Sequence, residues 1–270
     1  MKISFIGGGN MATALIGGLL RQGASAAHIS VVEPFEAARA KLTQDFGVAC
    51  SAAPAAGVQS SELIVMAVKP QNMREAAQAV APQLNRQLVL SIAAGTRVAD
   101  LSRWLGGYGA IVRTMPNTPA LIGMGITGMF AASAVSADQR TAAERVMRAV
   151  GEVVWISDET LIDPVTAISG SGPAYVFYFL EALAEAGVKL GLDAGDAKHL
   201  ALATFAGAAK LAADSPDDFA TLRTKVTSKG GTTAAALAVM MERQVKDAIM
   251  AAAAAASARG REMGEQLGQD

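Results

Sequence analysis

The opening stretch Lys2-Ile3-Ser4-Phe5-Ile6-Gly7-Gly8-Gly9-Asn10-Met11-Ala12 constrains the fold more than any other part of the chain. A short apolar strand runs into consecutive glycines, and a helical pattern begins at once. Over residues 10–21, Met11, Leu15, Ile16, Leu19 and Leu20 recur at the spacing of one helix face. Gly7, Gly9 and Ala12 fit the pattern G-x-G-x-x-G/A. In that pattern the first glycine allows a tight turn, the second lets a pyrophosphate approach bare backbone, and the third small residue packs helix on strand. The positive end of the helix points at the phosphates. A dinucleotide pocket is the expectation, and the rest of the chain reads as what that pocket is coupled to.

Short β-branched runs alternate with helical patterns as far as residue 156, the signature of a parallel sheet covered on both faces. Strands are expected over 2–6, 29–33, 46–50, 63–68, 88–92, 109–113, 125–130 and 152–156, with helices over 36–46, 74–84, 98–105 and 137–150. After Asp158 no strand run appears. Alanine-rich helical patterns follow instead over 173–189, 194–213, 216–227, 232–242 and 245–265. The fold class is therefore α/β, a doubly wound parallel sheet of Rossmann type over residues 1–158, followed by an all-α domain over 159–270. Helices so poor in large side chains bury little area alone, which predicts an obligate dimer.

Composition removes several alternatives. A net charge of −1 over 270 residues, with no Lys/Arg-rich run, leaves no footprint for nucleic acid or an anionic membrane. The long uncharged stretches 114–137 and 164–180 are broken by Pro116, Pro119, Gly123, Gly125 and Gly128, and by Ser169-Gly170-Ser171-Gly172-Pro173, so neither reads as a spanning helix. Cys50 stands alone and the chain opens directly into a strand, which together predict a reducing, cytoplasmic setting. His28 and His199 are far apart in sequence and belong to no metal-ligand cluster.

Several polar residues stand where ligands bind open α/β sheets, at the carboxyl ends of strands. Glu33 ends the second strand about 20 residues past Ala12, where a carboxylate accepts hydrogen bonds from ribose hydroxyls and repels a 2′-phosphate, favouring NADH; the alternative is a solvated glutamate. Lys69, in Ala67-Val68-Lys69-Pro70, would meet a ribose hydroxyl or a phosphate unless it is only a surface charge. Ser91-Ile92-Ala93-Ala94-Gly95 offers small residues beside a coenzyme. Asn117 either reaches the nicotinamide region or closes an Asx turn. In the helical half, Val226-Thr227-Ser228-Lys229-Gly230-Gly231-Thr232-Thr233 sets two glycines before a helix, a cradle for a carboxylate or phosphate. Thr232 or Thr233 would ordinarily serve as the N-cap.

With those segments in view the chain resembles pyrroline-5-carboxylate reductase. Phe5-Ile6-Gly7-Gly8-Gly9-Asn10-Met11-Ala12, Ala67-Val68-Lys69-Pro70, Met115-Pro116-Asn117-Thr118-Pro119, Ser169-Gly170-Ser171-Gly172-Pro173-Ala174-Tyr175 and Val226 to Thr233 follow one another in that family's order. The resemblance spans essentially the whole chain, and its last two motifs are the specific ones. It implies reduction of the imino acid L-1-pyrroline-5-carboxylate to L-proline, and a helical domain that interleaves with its twin in a homodimer, with dimers assembled into decamers, as a pentamer of dimers. It also implies that Ile6, Gly7, Gly8, Gly9, Asn10, Met11, Ala67, Val68, Lys69 and Pro70 contact the dinucleotide, with Ile92, Ala93 and Ala94 nearby. Ser228, Gly230, Gly231, Thr232 and Thr233 would form the substrate loop, contributed across the dimer.

Two departures bear on what is carried over. Lys229 stands where the family usually has proline. The family commonly prefers NADPH, with small polar or basic residues after the second strand, whereas Glu33-Pro34-Phe35 offers neither; NADPH or NADH therefore remain the two coenzymes to consider. A cyclic imine becomes electrophilic on protonation, so orientation and one hydrogen-bonding group near nitrogen suffice, and Thr233 is the candidate for that group. A β-hydroxyacid dehydrogenase would instead need a helix-borne lysine, and after Ser169-Gly170-Ser171-Gly172 none occurs until Lys189. A non-catalytic dinucleotide sensor would have no use for the second anion cradle.

Overall fold

The computed structural model describes residues 1–54 and 56–269. Eight strands pair into one sheet: β1 (Ile3–Ile6), β2 (Ile29–Val32), β3 (Ala49–Ser51), β4 (Leu63–Met66), β5 (Leu88–Ser91), β6 (Ile111–Met115), β7 (Gly125–Ala131) and β8 (Gly151–Trp155). Their order is β3-β2-β1-β4-β5-β6-β7-β8, and every neighbouring pair is parallel except β6 with β7. Only residues 116–124 join β6 to β7. That is fewer than the roughly dozen residues a parallel crossover needs, so β7 returns antiparallel.

The helices are α1 (Asn10–Arg21), α2 (Glu36–Phe46), α3 (Ala56–Gln59), α4 (Met73–Val80), α5 (Val98–Trp104), α6 (Ala137–Arg148), α7 (Ile162–Val165), α8 (Gly172–Lys189), α9 (Ala194–Asp214), α10 (Phe219–Lys225), α11 (Thr232–Glu242) and α12 (Val245–Gln269). Helices α2 and α11 occupy the spans that periodicity predicts. The strand expected over 46–50 begins only at Ala49, because Phe46 still belongs to α2 and Gly47 ends that helix at φ 67°. The helix expected over 74–84 stops at Val80 and tightens into a 3-10 turn at Ala81–Gln83, where Pro82 withholds an amide. Residues 166–170, for which no element is predicted, form a short π-helical stretch after α7.

Alternation along the strands sorts the core onto two faces. Phe5, Leu63, Val65, Leu88 and Leu90 point to the face covered by Leu15 and Ile16 of α1 and Val146 and Met147 of α6. Ile6, Ile64, Met66 and Val89 point to the other, covered by Met73, Ala77 and Val80 of α4 and Leu101 and Trp104 of α5. Strands apolar on both faces can only lie inside a sheet wound on both sides.

The chain forms two compact units, Met1–Ser171 with the tail from Ala254 onward, and Gly172–Ala253. In the first, the end of α12 packs on the β5–α5 region: Arg103 Nη2 donates to Gly268 O at 2.8 Å, and a Cβ at Gly264 would lie 2.9 Å from Arg97 Nε. Buried Arg113 of β6 pairs with Glu159 at 2.9 Å, and the same carboxylate accepts the Val98 amide at 2.7 Å. In the second unit, α8 and α9 form an antiparallel hairpin. Gly191 turns the chain at φ 99°, and a Cβ at Gly187 would sit 2.8 Å from Ala197 Cβ. No helix of the described residues is long and apolar enough to cross a membrane.

Candidate functional site

β1 delivers the glycine loop to the carboxyl edge of the sheet beside β4, where the strand order reverses and open α/β sheets bind their ligands. Gly7 adopts φ 100°, and a Cβ there would lie 2.6 Å from Ala67 O. Only glycine fits, because both the dihedral and the contact with the backbone just after β4 exclude a side chain. The Gly7 amide is anchored to Val32 O at 2.8 Å. A Cβ on Gly9 would meet nothing within 4 Å, so open space stands over the start of α1. Gly9 is the N-cap without a side-chain bond, and α1 has no acidic residue in its first turn. The first helical bond runs from Thr13 N to Gly9 O at 2.9 Å, which leaves the amides of residues 10–12 without helical partners. Such a helix opening fits a diphosphate.

Glu33 lies just beyond β2 and is buried at 8% exposure. Its Oε2 accepts the Gly8 amide at 2.9 Å and its Oε1 accepts the Phe35 amide at 3.0 Å. The carboxylate thus ties the glycine loop to the start of α2. Arg39, a residue the sequence reading passes over, donates from Nη1 to Glu33 O at 2.8 Å and to Pro34 O at 2.7 Å. Its signal was a cation one turn into a helix, where the dipole disfavours positive charge.

Ala67 follows β4 and donates to Ile6 O at 2.8 Å, which carries Val68, Lys69 and Pro70 along the same sheet edge as Gly7. Lys69 is exposed and Pro70 opens a 3-10 turn. Ile92, Ala93 and Ala94 leave β5 at that edge, with Ala93 buried and its neighbours half-buried. Asn117 is occupied at both ends of its amide, donating to Ser169 O at 3.1 Å and accepting the Ile126 amide at 2.9 Å. It braces the 116–124 connection.

The second glycine opening belongs to the helical unit. Asp218 caps α10 through the Thr221 amide at 2.7 Å, and that bond, with help from the Thr221 hydroxyl, holds its carboxyl below the ordinary range. After α10, Ser228–Gly231 form a turn closed by Gly231 N to Ser228 O at 3.1 Å, with Gly230 at φ 73°. The N-cap of α11 is Gly231, not a threonine. The extended glycine takes the cap position because the preceding left-handed Gly230 redirects the chain one residue early. Ala235 N to Gly231 O, at 3.2 Å, is the first helical bond, so the amides of residues 232–234 are unpartnered within the helix. The hydroxyls of Thr232 and Thr233 make no hydrogen bond among the described residues, and Ser228, Lys229 and Gly230 are exposed.

Comparison with known proteins agrees with both halves. Residues 159–263 match the family described as pyrroline-5-carboxylate reductase dimerisation, and residues 2–95 match that described as NADP oxidoreductase coenzyme F420-dependent. Over 269 residues the chain is 45% identical to the pyrroline-5-carboxylate reductase of Pseudomonas aeruginosa, covering 99% of this chain and 98% of that protein. It is 44% identical to the Haemophilus influenzae enzyme of the same name, over 97% of each. Among solved structures, a pyrroline-5-carboxylate reductase from Coxiella burnetii superposes with a TM-score of 0.92 at 37% identity, covering 97% of this chain and 98% of that one. A pyrroline carboxylate reductase from Plasmodium falciparum with NADP bound gives 0.87 at 29% identity, over 98% of each chain.

Proposed function

The chain belongs to the pyrroline-5-carboxylate reductase family, and from that membership we propose that it reduces L-1-pyrroline-5-carboxylate to L-proline with NADH or NADPH, the last step of proline biosynthesis. The observation that carries this reading is a pair of helices, α1 and α11, each started by glycine and each lacking a side-chain cap and an acidic first turn. One such opening suits a diphosphate and the other a small carboxylate.

In this reading residues 1–158 hold the coenzyme and residues 159–270 serve dimerisation and substrate binding. Ile6, Gly7, Gly8, Gly9, Asn10 and Met11 grip the diphosphate, and Ala67 to Pro70 with Ile92 to Ala94 line the remaining length. Glu33 keeps the glycine loop in shape, and Asn117, its amide already spent, steadies the backbone beside the coenzyme. When bound, the dinucleotide supplies the hydride. The amides after Gly230 and Gly231 orient the substrate carboxylate, and Ser228 and Thr232 stand at the rim of that loop. Thr233, half-buried with an uncommitted hydroxyl, holds a hydrogen bond at the imine nitrogen. The exposed apolar surface of the helical unit supports pairing of two chains, each lending its 228–233 loop to the other, and a pentamer of such dimers is the larger assembly. Cys50, free and half-buried, fits a cytoplasmic enzyme.

Steady-state reduction of pyrroline-5-carboxylate with NADH and NADPH side by side tests the proposal. Consumption of coenzyme with appearance of proline is expected. Tight coenzyme binding without consumption would mean a sensor, and oxidation of hydroxyisobutyrate instead would mean a β-hydroxyacid dehydrogenase.

A further inference from the structure

Arg39 has no part in the glycine fingerprint, yet the fold builds it into the same corner. Glu33 bridges the Gly8 and Phe35 amides, so the start of α2 is fastened beside the glycine loop. A Cβ on Gly8 would lie 2.6 Å from Leu42 Cδ1, which shows the face of α2 that covers the loop. Arg39 precedes Leu42 by one turn and shares that face. Its two bonds to the Glu33 and Pro34 carbonyls use both hydrogens of Nη1. Nε and Nη2 make no hydrogen bond or ion pair among the described residues, and exposed Glu36, one turn earlier, is not paired with it. A guanidinium is therefore held by one edge with its other donors uncommitted, next to the loop where the adenosine ribose of a dinucleotide is expected.

We propose that Arg39 selects the coenzyme by binding the 2′-phosphate of NADPH through Nε and Nη2, while Glu33 acts as a brace for the glycine loop. Both Glu33 oxygens already accept an amide, which offsets part of the repulsion that a carboxylate at this position would exert on a phosphate. Planar, paired donors suit a phosphate better than a lone ammonium does. The site therefore accepts NADPH despite an acidic residue after β2. This inference rests on the coenzyme-binding role proposed above for the glycine loop.

Calorimetric titration of the full-length protein with 2′,5′-ADP and with 5′-AMP, alongside steady-state kinetics with NADPH and NADH, tests it. Arg39→Met should weaken 2′,5′-ADP binding and raise the KM for NADPH by about ten- to a hundredfold. It should leave 5′-AMP and NADH within about twofold. Arg39→Gln removes the charge, and its amide, two bonds shorter than the guanidinium, does not reach the two carbonyls; it should show the same selective loss. Glu33→Gln loosens the glycine loop for both coenzymes but relieves the remaining repulsion for NADPH only, so it should weaken NADH more than NADPH. Equal weakening of all four ligands in Arg39→Gln, or no weakening of 2′,5′-ADP, would overturn the assignment. Selective loss of 2′,5′-ADP in a protein that reduces pyrroline-5-carboxylate with neither coenzyme would uphold Arg39 and sink the proposed activity.

Discussion

The two units of this chain differ in what they bury. In the first, Phe5, Leu15, Ile16, Leu63, Ile64, Met66, Met73, Leu88 and Leu90 are essentially inaccessible, and the sheet is apolar on both faces. In the second, among its described residues, only Ala197 and Ala201 are buried, while Phe177, Leu190, Leu211, Phe219 and Met241 are 60% or more exposed. The first unit carries its own core. The second has the composition of a core and no interior to put it in, which is what half of an interleaved pair looks like. The same contrast runs through the two glycine openings: Gly7 is wedged against the Ala67 backbone and Gly8 against the Leu42 side chain, with the Gly8 amide tied by Glu33, whereas Ser228 to Gly230 are exposed.

Charge placed on the exposed apolar face should break the contrast most forcefully. Phe177→Glu is expected to cost about 5 kcal/mol or more per dimer, from two lost apolar burials and two charges to desolvate. Sedimentation should then show monomers, with coenzyme binding retained. A dimer that persists would mean the second unit is covered by something other than its twin. Next in size is Thr233→Val, which should lower kcat by about a hundred- to a thousandfold, roughly 3–4 kcal/mol in barrier, with coenzyme affinity unchanged. Unchanged turnover would remove Thr233 from the chemistry and leave the exposed loop a binding element only.

In the self-contained unit, Gly7→Ala meets both a forbidden dihedral and the Ala67 carbonyl, so a loss of about 2–3 kcal/mol in stability is expected, with coenzyme binding lost in the surviving fold. Thermal denaturation with and without NADPH reads both effects. The smallest change is Ser136→Ala. It removes one side of the capping box with Gln139 at the start of α6 and should cost about 1 kcal/mol with no change in assembly or kinetics. A shift in oligomeric state from that substitution would show that the two units are coupled more tightly than their cores suggest.

Local chemistry made some elements legible. The spans of α2 and α11 follow from runs of strong helix formers, rich in alanine, and Gly7 from the fingerprint, since the turn it makes admits no Cβ. The strand expected from residue 46 begins only at Ala49, because the left-handed Gly47 that caps α2 must turn the chain before β3 can pair, and periodicity does not reveal a left-handed cap. Glu33 was visible as a carboxylate at the right strand end. That its oxygens hold the Gly8 and Phe35 amides was not visible, because those partners lie across a strand pairing and a turn. Asn117 was ambiguous for the same reason, its two bonds reaching Ser169 and Ile126.

Residue order alone therefore determined the strand–glycine–helix opening, the two-faced sheet and the change to alanine-rich helices, because each depends on neighbours within a few positions. Tertiary structure decided the antiparallel return of β7, the glycine cap of α11, the role of Asn117 and the place of Arg39. Those depend on which backbone groups remain unpaired once distant segments meet, and hydrogen-bond partners across space leave no periodic trace along the chain.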